Sequence, residues 1–298
     1  MATSLLADLL PSWQLHLRAE RKSPATISSY TWGVEAFLKW CARTATAPEL
    51  DKATVQTFLT SLLDEGAEPA TARARYAALR RYAVWLADEG EITSNPLDGM
   101  KPPKLDAKVT ASLSDTQLKA LIAVCKGKDF IDRRDEAVVR LMAETGVRAG
   151  ELLAMQVGDV DLPKGSAIVR KGKGGKGRVV PFGAAAASAL DRYVRIRRTH
   201  RLADTPTLWL GGGGQKFGYH GLDAAMKRRA EAAGIDGFHL HLLRSTAATR
   251  WLRAGGSEQG LMAVAGWSTR SMLDRYTSAS ASERAAAEAR TLGLGDDL

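Results

Sequence analysis

The sequence has little cysteine and no long uninterrupted apolar segment. Cys41 and Cys125 are the only cysteines among 298 residues, and their wide separation argues against a disulfide framework or a cysteine-based zinc site. No apolar run approaches the roughly 18 residues of a membrane-spanning helix. The N-terminal segment lacks the basic stretch of a secretory signal and reaches Pro11 early. We therefore expect a cytoplasmic protein that makes no membrane contact.

Acidic residues are fewer than basic ones. The chain contains 42 lysines and arginines against 33 aspartates and glutamates, a net charge of +9. This excess favours a polyanionic partner, and nucleic acid is the first candidate. A basic metabolic enzyme is the alternative, but it would need a cofactor motif and we find none. We expect no cofactor and no bound metal.

Helical patterns dominate the first hundred residues. Ser23 is a suitable N-cap, Pro24 suits the first helical position, and apolar residues then recur every three or four positions. Residues 101–110 are rich in proline and lysine, the composition of an extended linker. We therefore predict a helical domain at 1–100, a linker at 101–110 and a second domain at 111–298.

The second domain is predicted to be mostly helical with a small antiparallel β-sheet. Ser114 is expected to cap its first helix, and Gly146 to change the chain direction between two helical pieces. The segment SAIVRKGKGGKGRVVPF predicts a β-hairpin, because two β-branched runs flank a turn of glycines and lysines. The predicted fold class is therefore mainly α, with one small sheet.

The turn of this hairpin has two interpretations. Gly172 and Gly177 have the separation of a phosphate-binding P-loop, but Arg178 follows where that motif needs lysine, which argues against nucleotide binding. A solvated basic turn is the simpler interpretation. The alternative is that the turn carries Lys171, Lys173 and Lys176 toward a phosphate backbone, where one lysine donates a proton.

Two pairs of charged or titratable residues have helical spacing. Arg148 precedes Glu151 by three positions, and His241 precedes Arg244 by three, so each pair shares one helix face. Alone, the first pair is typical of a structural ion pair and the second of an ordinary helix start. By the same spacing argument, His239 is expected to point elsewhere.

The order of four segments changes this interpretation. TGVRAGEL, KGKGGKGRVVP, HLLRSTAAT and GWSTRSMLDRYT follow one another along the chain, and together they resemble the catalytic domain of the tyrosine recombinases, the phage integrase and Xer group. The segments SPATISSYTWGVEAFLKW and ALRRYAVWLADEGEITSNP resemble that family's core-site DNA-binding helices. The resemblance covers nearly the whole chain.

The resemblance implies a role for each of five residues. Tyr276 attacks the scissile phosphate and forms a 3′-phosphotyrosyl link, so strands are cut and rejoined without metal or ATP. Arg148 and Arg244 bind the non-bridging phosphate oxygens. His241 accepts the tyrosine proton or holds a phosphate oxygen, and Lys173 protonates the departing 5′-oxygen. The acid is assigned to Lys173 rather than to Lys171 or Lys176 from the GKG alignment alone.

Further residues are assigned by the same resemblance. Glu151 orients its neighbours without touching DNA. Trp267 stands where many members have a second histidine, and it can position groups but cannot transfer a proton. Ser245 stands where a histidine often follows the second arginine. The expected DNA contacts are Lys22, Thr26, Arg73, Arg75, Lys176 and Arg178.

The family resemblance also implies a mode of assembly. Two domains close around double-stranded DNA as a C-shaped clamp, with a dimer on one recombination site and a tetramer in the synapse. A final helix capped by Ser282 docks on a neighbouring protomer; the alternative is a frayed terminal helix. We expect no DNA-binding domain before residue 1, which argues against integrases that need distant arm sites. The arginine- and alanine-rich composition and Trp267 favour a mobile-element integrase over a chromosomal Xer protein. The alternative functions are a type IB topoisomerase-like nicking and rejoining enzyme, and a catalytically silent DNA-binding protein of the same fold.

Overall fold

The computed structural model describes residues 5–105, 111–170 and 177–277. The chain divides into two compact units, an N-terminal unit of Met1–Ala107 and a C-terminal unit of Lys108–Leu298. Helices predominate, and the described strands form one three-stranded antiparallel sheet. The predicted class of a mainly helical protein with a small antiparallel sheet is confirmed. Within the described ranges, no helix has both the length and the apolar character needed to cross a lipid bilayer.

The described residues of the N-terminal unit form five helices. They are α1 (Leu5–Asp8), α2 (Leu10–Ala19), α3 (Pro24–Thr44), α4 (Lys52–Asp64) and α5 (Pro69–Asp88). The predicted cap of α3 is confirmed, because the side chain of Ser23 accepts a hydrogen bond from the backbone N–H of Thr26 at 3.1 Å. The helix α3 packs against α5, and Gly33 permits the close approach: a Cβ there would lie 2.3 Å from the Cβ of Ala78.

Aromatic side chains form much of the core of the N-terminal unit. The rings of Trp13 and Tyr82 lie 4.7 Å apart between their centroids, and both side chains are fully buried. The Tyr82 hydroxyl donates to the carbonyl of Leu6 at 2.7 Å, so its polar end is satisfied inside the core. This contact holds the first helix on α5.

The C-terminal unit contains eight helices and three strands in its described residues. The helices are α6 (Asp115–Val124), α7 (Phe130–Thr145), α8 (Ala149–Leu153), α9 (Ala184–Arg197), α10 (Tyr219–Ala232), α11 (His241–Arg253), α12 (Glu258–Ala265) and α13 (Arg270–Thr277). The strands are β1 (Val160–Asp161), β2 (Ser166–Val169) and β3 (Arg178–Pro181). The buried helix α7 packs against both α9 and α11, and this places the start of α11 beside the end of α7.

The local signals at the start of α6 and at the end of α7 behave as predicted. Ser114 caps α6 in a capping box with Gln117. Gly146 ends α7 in the left-handed conformation, with a φ of 63°, which glycine adopts without the steric cost of a Cβ. The chain then turns into α8. The region before α6 is joined to α11, because the Leu113 N–H donates to the buried Thr246 hydroxyl at 2.9 Å.

The predicted hairpin is present. Strand β2 pairs with β3 in antiparallel register, with Ile168 opposite Val179, and β1 pairs with the other edge of β2. The turn of the hairpin, residues 171–176, lies outside the described residues. Arg170 and Gly177 are the described residues on either side of the turn.

Candidate active site

The first turn of α11 brings a histidine and a buried arginine to one place. The Arg244 side chain is only 3% exposed. Its guanidinium donates to the carbonyl oxygen of Gly146, at the end of α7, and to that of Ala265 at 2.8 Å, at the end of α12. Backbone carbonyls at the ends of two helices, α7 and α12, therefore hold this cation in one orientation.

A second arginine stands at the start of α8. Arg148 is the N-cap residue of that helix, and its guanidinium donates to Glu151 Oε1 at 2.8 Å. The Arg148 backbone N–H donates to the other carboxylate oxygen at 3.0 Å, which closes a capping arrangement around the helix start. Arg148 retains 28% exposure of its side chain, whereas Glu151 has 6%. The backbone of Arg148 is therefore fixed at the start of α8, while its charged side chain stays partly exposed.

Three guanidiniums converge on the end of α12. This helix terminates at Gly266, which has a φ of 64°, and the last carbonyls of a helix have no partners within it. The carbonyl of Val264 accepts from Arg178 at 2.7 Å, that of Ala265 from Arg244, and that of Gly266 from Arg148 at 3.4 Å. The end of α12 is thus a common support for all three arginines.

The helix α13 places a tyrosine beside these cations. The Tyr276 ring stacks on the Trp267 ring with centroids 5.0 Å apart and an interplanar angle of 11°. The Tyr276 hydroxyl lies 3.4 Å from His241 Nε2. Trp267 also contacts Arg244, whose guanidinium carbon lies 5.3 Å from the centroid of the Trp267 ring. One indole therefore touches both the phenol and the buried arginine.

The electrostatics of the cluster are set by burial and by mutual charge. Burial lowers the pKa of Arg244 to about 10, and the nearby Arg148 charge adds to the decrease. Burial would raise the pKa of Glu151, but hydrogen bonds from Arg178 and Arg148 outweigh it and lower the value to about 2. At neutral pH the site therefore holds a carboxylate among three guanidinium cations, with a net positive charge.

Comparison with known proteins supplies the family. The sequence pattern of the phage integrase family matches residues 111–283, which is more than half of the chain. The pattern of the phage integrase N-terminal SAM-like domain matches residues 10–90. A relative named tyrosine recombinase XerC, from Chromobacterium violaceum, is 30% identical over 267 residues, which are 88% of this chain and 87% of the relative.

The chain belongs to the phage integrase family.

This recombinase is also similar to solved structures. One is the integrase of transposon Tn1549 in complex with a circular intermediate DNA, with a TM-score of 0.72 and 16% identity over 92% of this chain and 95% of that chain. Another is a lambda integrase dimer bound to a core site, with a TM-score of 0.70 and 17% identity over 91% and 94% of the two chains. At this identity the likeness shows the fold. The predicted family and enzyme class, a tyrosine recombinase, are confirmed.

The structure brings most of the predicted site residues of this recombinase together. The group consists of Arg148, Glu151, His241, Arg244, Trp267 and Tyr276. Lys173 and Lys176 lie outside the described residues, as does the predicted C-terminal helix from Ser282. In the part of the chain that the structure describes, no three His, Cys, Asp or Glu side chains are grouped to bind a metal ion.

The expected DNA contacts of the N-terminal unit lie around α3 and α5. The Lys22 ammonium lies 3.7 Å from a Glu20 carboxylate oxygen. The Thr26 hydroxyl lies 2.8 Å from that of Ser23, in the cap of α3. Arg73 is exposed and Arg75 is half-buried. These four positions remain predicted contacts.

Two residues lie in surroundings that differ from those expected from the sequence. Arg178, expected on a DNA-facing hairpin, has only 11% of its side chain exposed and donates to both oxygens of Glu151 at 3.1 and 2.7 Å. His239, expected to point away from His241, has its ring 6.4 Å from the His241 ring at an angle of 15°. The helical spacing argument fails there because α11 begins at His241, so His239 lies in the preceding turn.

Sequence reasoning had no means to find the carbonyl support of the arginines. The acceptors at Gly146 and Gly266 are backbone atoms, and their use depends on where α7, α11 and α12 meet. The available signal was a glycine directly after each helical pattern, which is typical of a left-handed helix end. Such a glycine predicts a helix end but does not reveal which side chain reaches the carbonyls there.

Proposed function

We propose that this recombinase cuts and rejoins double-stranded DNA at a specific site, with Tyr276 as the nucleophile. The observation that carries the proposal is the position of Tyr276. Its hydroxyl lies 3.4 Å from His241 Nε2, and its ring stacks on the Trp267 indole, which also contacts Arg244. A nucleophile, a base and a pair of cations within one cluster are the groups that metal-free phosphoryl transfer requires.

In the first step, the Tyr276 oxygen bonds to the scissile phosphorus and the phosphorus–O5′ bond breaks. The phenol proton passes to His241 Nε2, because the hydroxyl must lose its proton as its oxygen bonds to phosphorus. Arg148 and Arg244 neutralise the negative charge that builds on the non-bridging oxygens in the transition state. The product is a DNA 3′-end joined covalently to Tyr276.

The leaving 5′-oxygen needs a proton, and Lys173 is proposed to supply it. This lysine belongs to the turn of the β2–β3 hairpin, between Arg170 and Gly177. A second 5′-hydroxyl then attacks the phosphotyrosyl bond, the tyrosine oxygen leaves, and the proton transfers run in reverse. One phosphodiester is exchanged for another, so the reaction needs no ATP.

The N-terminal unit is proposed to contact the same DNA through Lys22, Thr26, Arg73 and Arg75. The structural neighbours include complexes of an integrase dimer with a core site and of an integrase with transposon DNA, which supports a DNA site as the partner. We propose a dimer on one site and a tetramer at strand exchange, with the segment after residue 277 docking on a neighbouring protomer. The cytoplasm is the proposed location, since both cysteines are unpaired thiols.

The test begins by finding the DNA site. Tyr276→Phe protein is used to select bound duplexes from a randomised library, and the enriched sequence is synthesised with a nick that lets the cleaved end diffuse away. Wild type should form a protein–DNA adduct that survives denaturation, and Tyr276→Phe should form none. Tyr219→Phe is the matched control, because Tyr219 lies in the same unit and is 55% exposed; it should form the adduct normally.

Two further arms separate the alternative functions. Arg148→Ala and Arg244→Ala should abolish cleavage and retain most DNA affinity, because affinity comes from many phosphate contacts. Arg195→Ala, on the surface of α9, is the control and should retain both cleavage and DNA affinity. Joining of strands between two duplexes indicates a recombinase, whereas rejoining within one duplex only indicates a topoisomerase-like enzyme. A wild type that selects a sequence but forms no adduct would be a DNA-binding protein without catalysis.

A further inference from the structure

The strand β3 begins with an arginine whose side chain enters the active site. Arg178 is the second residue after the hairpin turn. Its Nε donates to the carbonyl of Val264 at 2.7 Å, and its two amino groups donate to the two oxygens of Glu151 at 3.1 and 2.7 Å. All three nitrogens of the guanidinium are therefore engaged within the protein, and the side chain is almost fully buried.

The Glu151 carboxylate is shared between this arginine and Arg148. Oxygen Oε1 accepts from the amino groups of both arginines, and Oε2 accepts from Arg178 and from the Arg148 backbone N–H. A two-point contact with a planar guanidinium fixes the plane of a carboxylate. The orientation of Glu151, and with it the direction of the Arg148 side chain, thus depends on Arg178.

The turn at Gly266 is fitted to the same guanidinium. A Cβ at Gly266 would lie 2.9 to 3.1 Å from the Arg178 guanidinium atoms, so a larger residue would displace the arginine. The carbonyl of Gly266 accepts from Arg148, and Trp267 follows directly. One arginine with only 11% of its side chain exposed therefore joins the base of the hairpin, Glu151 and the turn that precedes Trp267.

We propose that Arg178 is a positioning residue that orients Arg148 through Glu151, and that it does not contact DNA. The inference rests on the proposed function, in which Arg148 neutralises charge on the scissile phosphate. Its role is to keep the carboxylate ionised and in one plane, so that Arg148 meets the phosphate in a fixed direction. A misdirected arginine costs catalysis even where binding is intact, because about 1 Å of misplacement can cost about 100-fold in rate.

The test uses a scissile methylphosphonate, in which a methyl group replaces one non-bridging oxygen and removes the phosphate charge. A site that lacks a charge-neutralising arginine loses less on this neutral substrate than on the phosphate. The variants are Arg178→Gln and Arg178→Lys, which keeps the charge but not the planar fork. Arg148→Ala is the reference. Arg170→Gln is the matched control, since Arg170 flanks the other side of the same turn and pairs with Asp159.

On the phosphate substrate, Arg178→Gln and Arg178→Lys should cleave about 100-fold more slowly than wild type. On the methylphosphonate, their deficit and that of Arg148→Ala should shrink to about 10-fold or less, while Arg170→Gln stays close to wild type on both. DNA affinity and its dependence on salt should be unchanged in both Arg178 variants, because a lost phosphate contact would lower the salt slope by about 1. Arg178→Lys carries the test if Arg178→Gln fails to fold.

Two results would contradict the inference about Arg178, and a third would contradict the proposed role of Arg148. If the methylphosphonate restores Arg148→Ala but neither Arg178 variant, Arg178 does not act through Arg148 and the inference is wrong. A reduced salt slope in the Arg178 variants would make Arg178 a DNA contact and would also contradict it. If Arg148→Ala itself gains nothing on the neutral substrate, the role of Arg148 in the proposed function fails instead.

Discussion

Replacing Glu151 with glutamine should destabilise the C-terminal unit strongly. The carboxylate is 6% exposed and accepts four hydrogen bonds from Arg148 and Arg178. Glutamine removes the negative charge and turns one acceptor oxygen into an N–H₂ group that faces donors. Breaking a buried ion pair by removing one partner costs about 3 to 5 kcal/mol. The decrease in the Glu151 pKa from 4.5 to about 2 corresponds independently to about 3 kcal/mol.

The pH dependence of this loss has a definite sign. Because the pKa of Glu151 is lower in the folded state, its contribution to the free energy of unfolding is present above pH 4.5 and is lost as the pH falls toward 2. The full chain is unfolded in urea, and the transition of the C-terminal unit is monitored. At pH 7 the free energy of unfolding should therefore show a gap of about 3 kcal/mol between wild type and Glu151→Gln. The gap should close on acidification.

A surface ion pair provides the control. Asp191→Asn removes the partner of Arg195 on α9, a pair with side chains 49% and 60% exposed, and should cost less than about 1 kcal/mol. A gap for Glu151→Gln no larger than that of Asp191→Asn, or one that stays constant from pH 7 to pH 3, would refute the assignment of Glu151 as the buried counter-ion of the two arginines.

Substitutions at three other positions test the packing of the units and of the site. Gly33→Ala should lower the free energy of unfolding of the N-terminal unit by about 2 kcal/mol in urea unfolding, because the new Cβ would lie 2.3 Å from a side-chain carbon of α5; an unchanged midpoint would contradict the helix contact. Thr246→Val should cost about 1 to 3 kcal/mol, since it leaves the buried N–H of Leu113 without its acceptor; thermal unfolding measures this, and a neutral result would count against the bond. Trp267→Ala should slow cleavage of a nicked substrate by about 10-fold and Trp267→Phe by less, because phenylalanine keeps the stacking on Tyr276; equal rates for the two variants would show that stacking does not position the nucleophile.

Local chemistry made much of the fold predictable. Ser23 and Ser114 cap helices where a hydroxyl precedes an apolar periodic segment, and both hydroxyls bond the backbone as expected. On α5, apolar side chains recur at three- and four-residue spacing, which predicts one buried face. All four of them point into the core of the N-terminal unit: Tyr76, Leu79, Ala83 and Leu86. These features depend on residues close in sequence, so the sequence of this chain alone is enough to place them.

The site was predictable as a set of residues but not as a geometry. The spacing of Arg148 to Glu151 predicts their ion pair. The partner that Glu151 shares with Arg178 is 27 positions away, and nothing in the hairpin sequence distinguishes an arginine that enters the core from one that faces solvent. His239 shows the same limit, because its direction depends on where α11 begins. Tertiary contacts determine the direction of both side chains, and sequence periodicity carries no information about those contacts.

The most direct test of the account is the chemical identity of the residue that carries DNA after cleavage. The adduct formed by wild type on the selected nicked duplex is digested with nuclease and protease, and its peptides are analysed by mass spectrometry. We predict a nucleotide linked through its 3′-phosphate to the peptide that contains Tyr276. A nucleotide on any other residue, including the exposed Tyr219, would contradict the assignment of the nucleophile and the mechanism built on it.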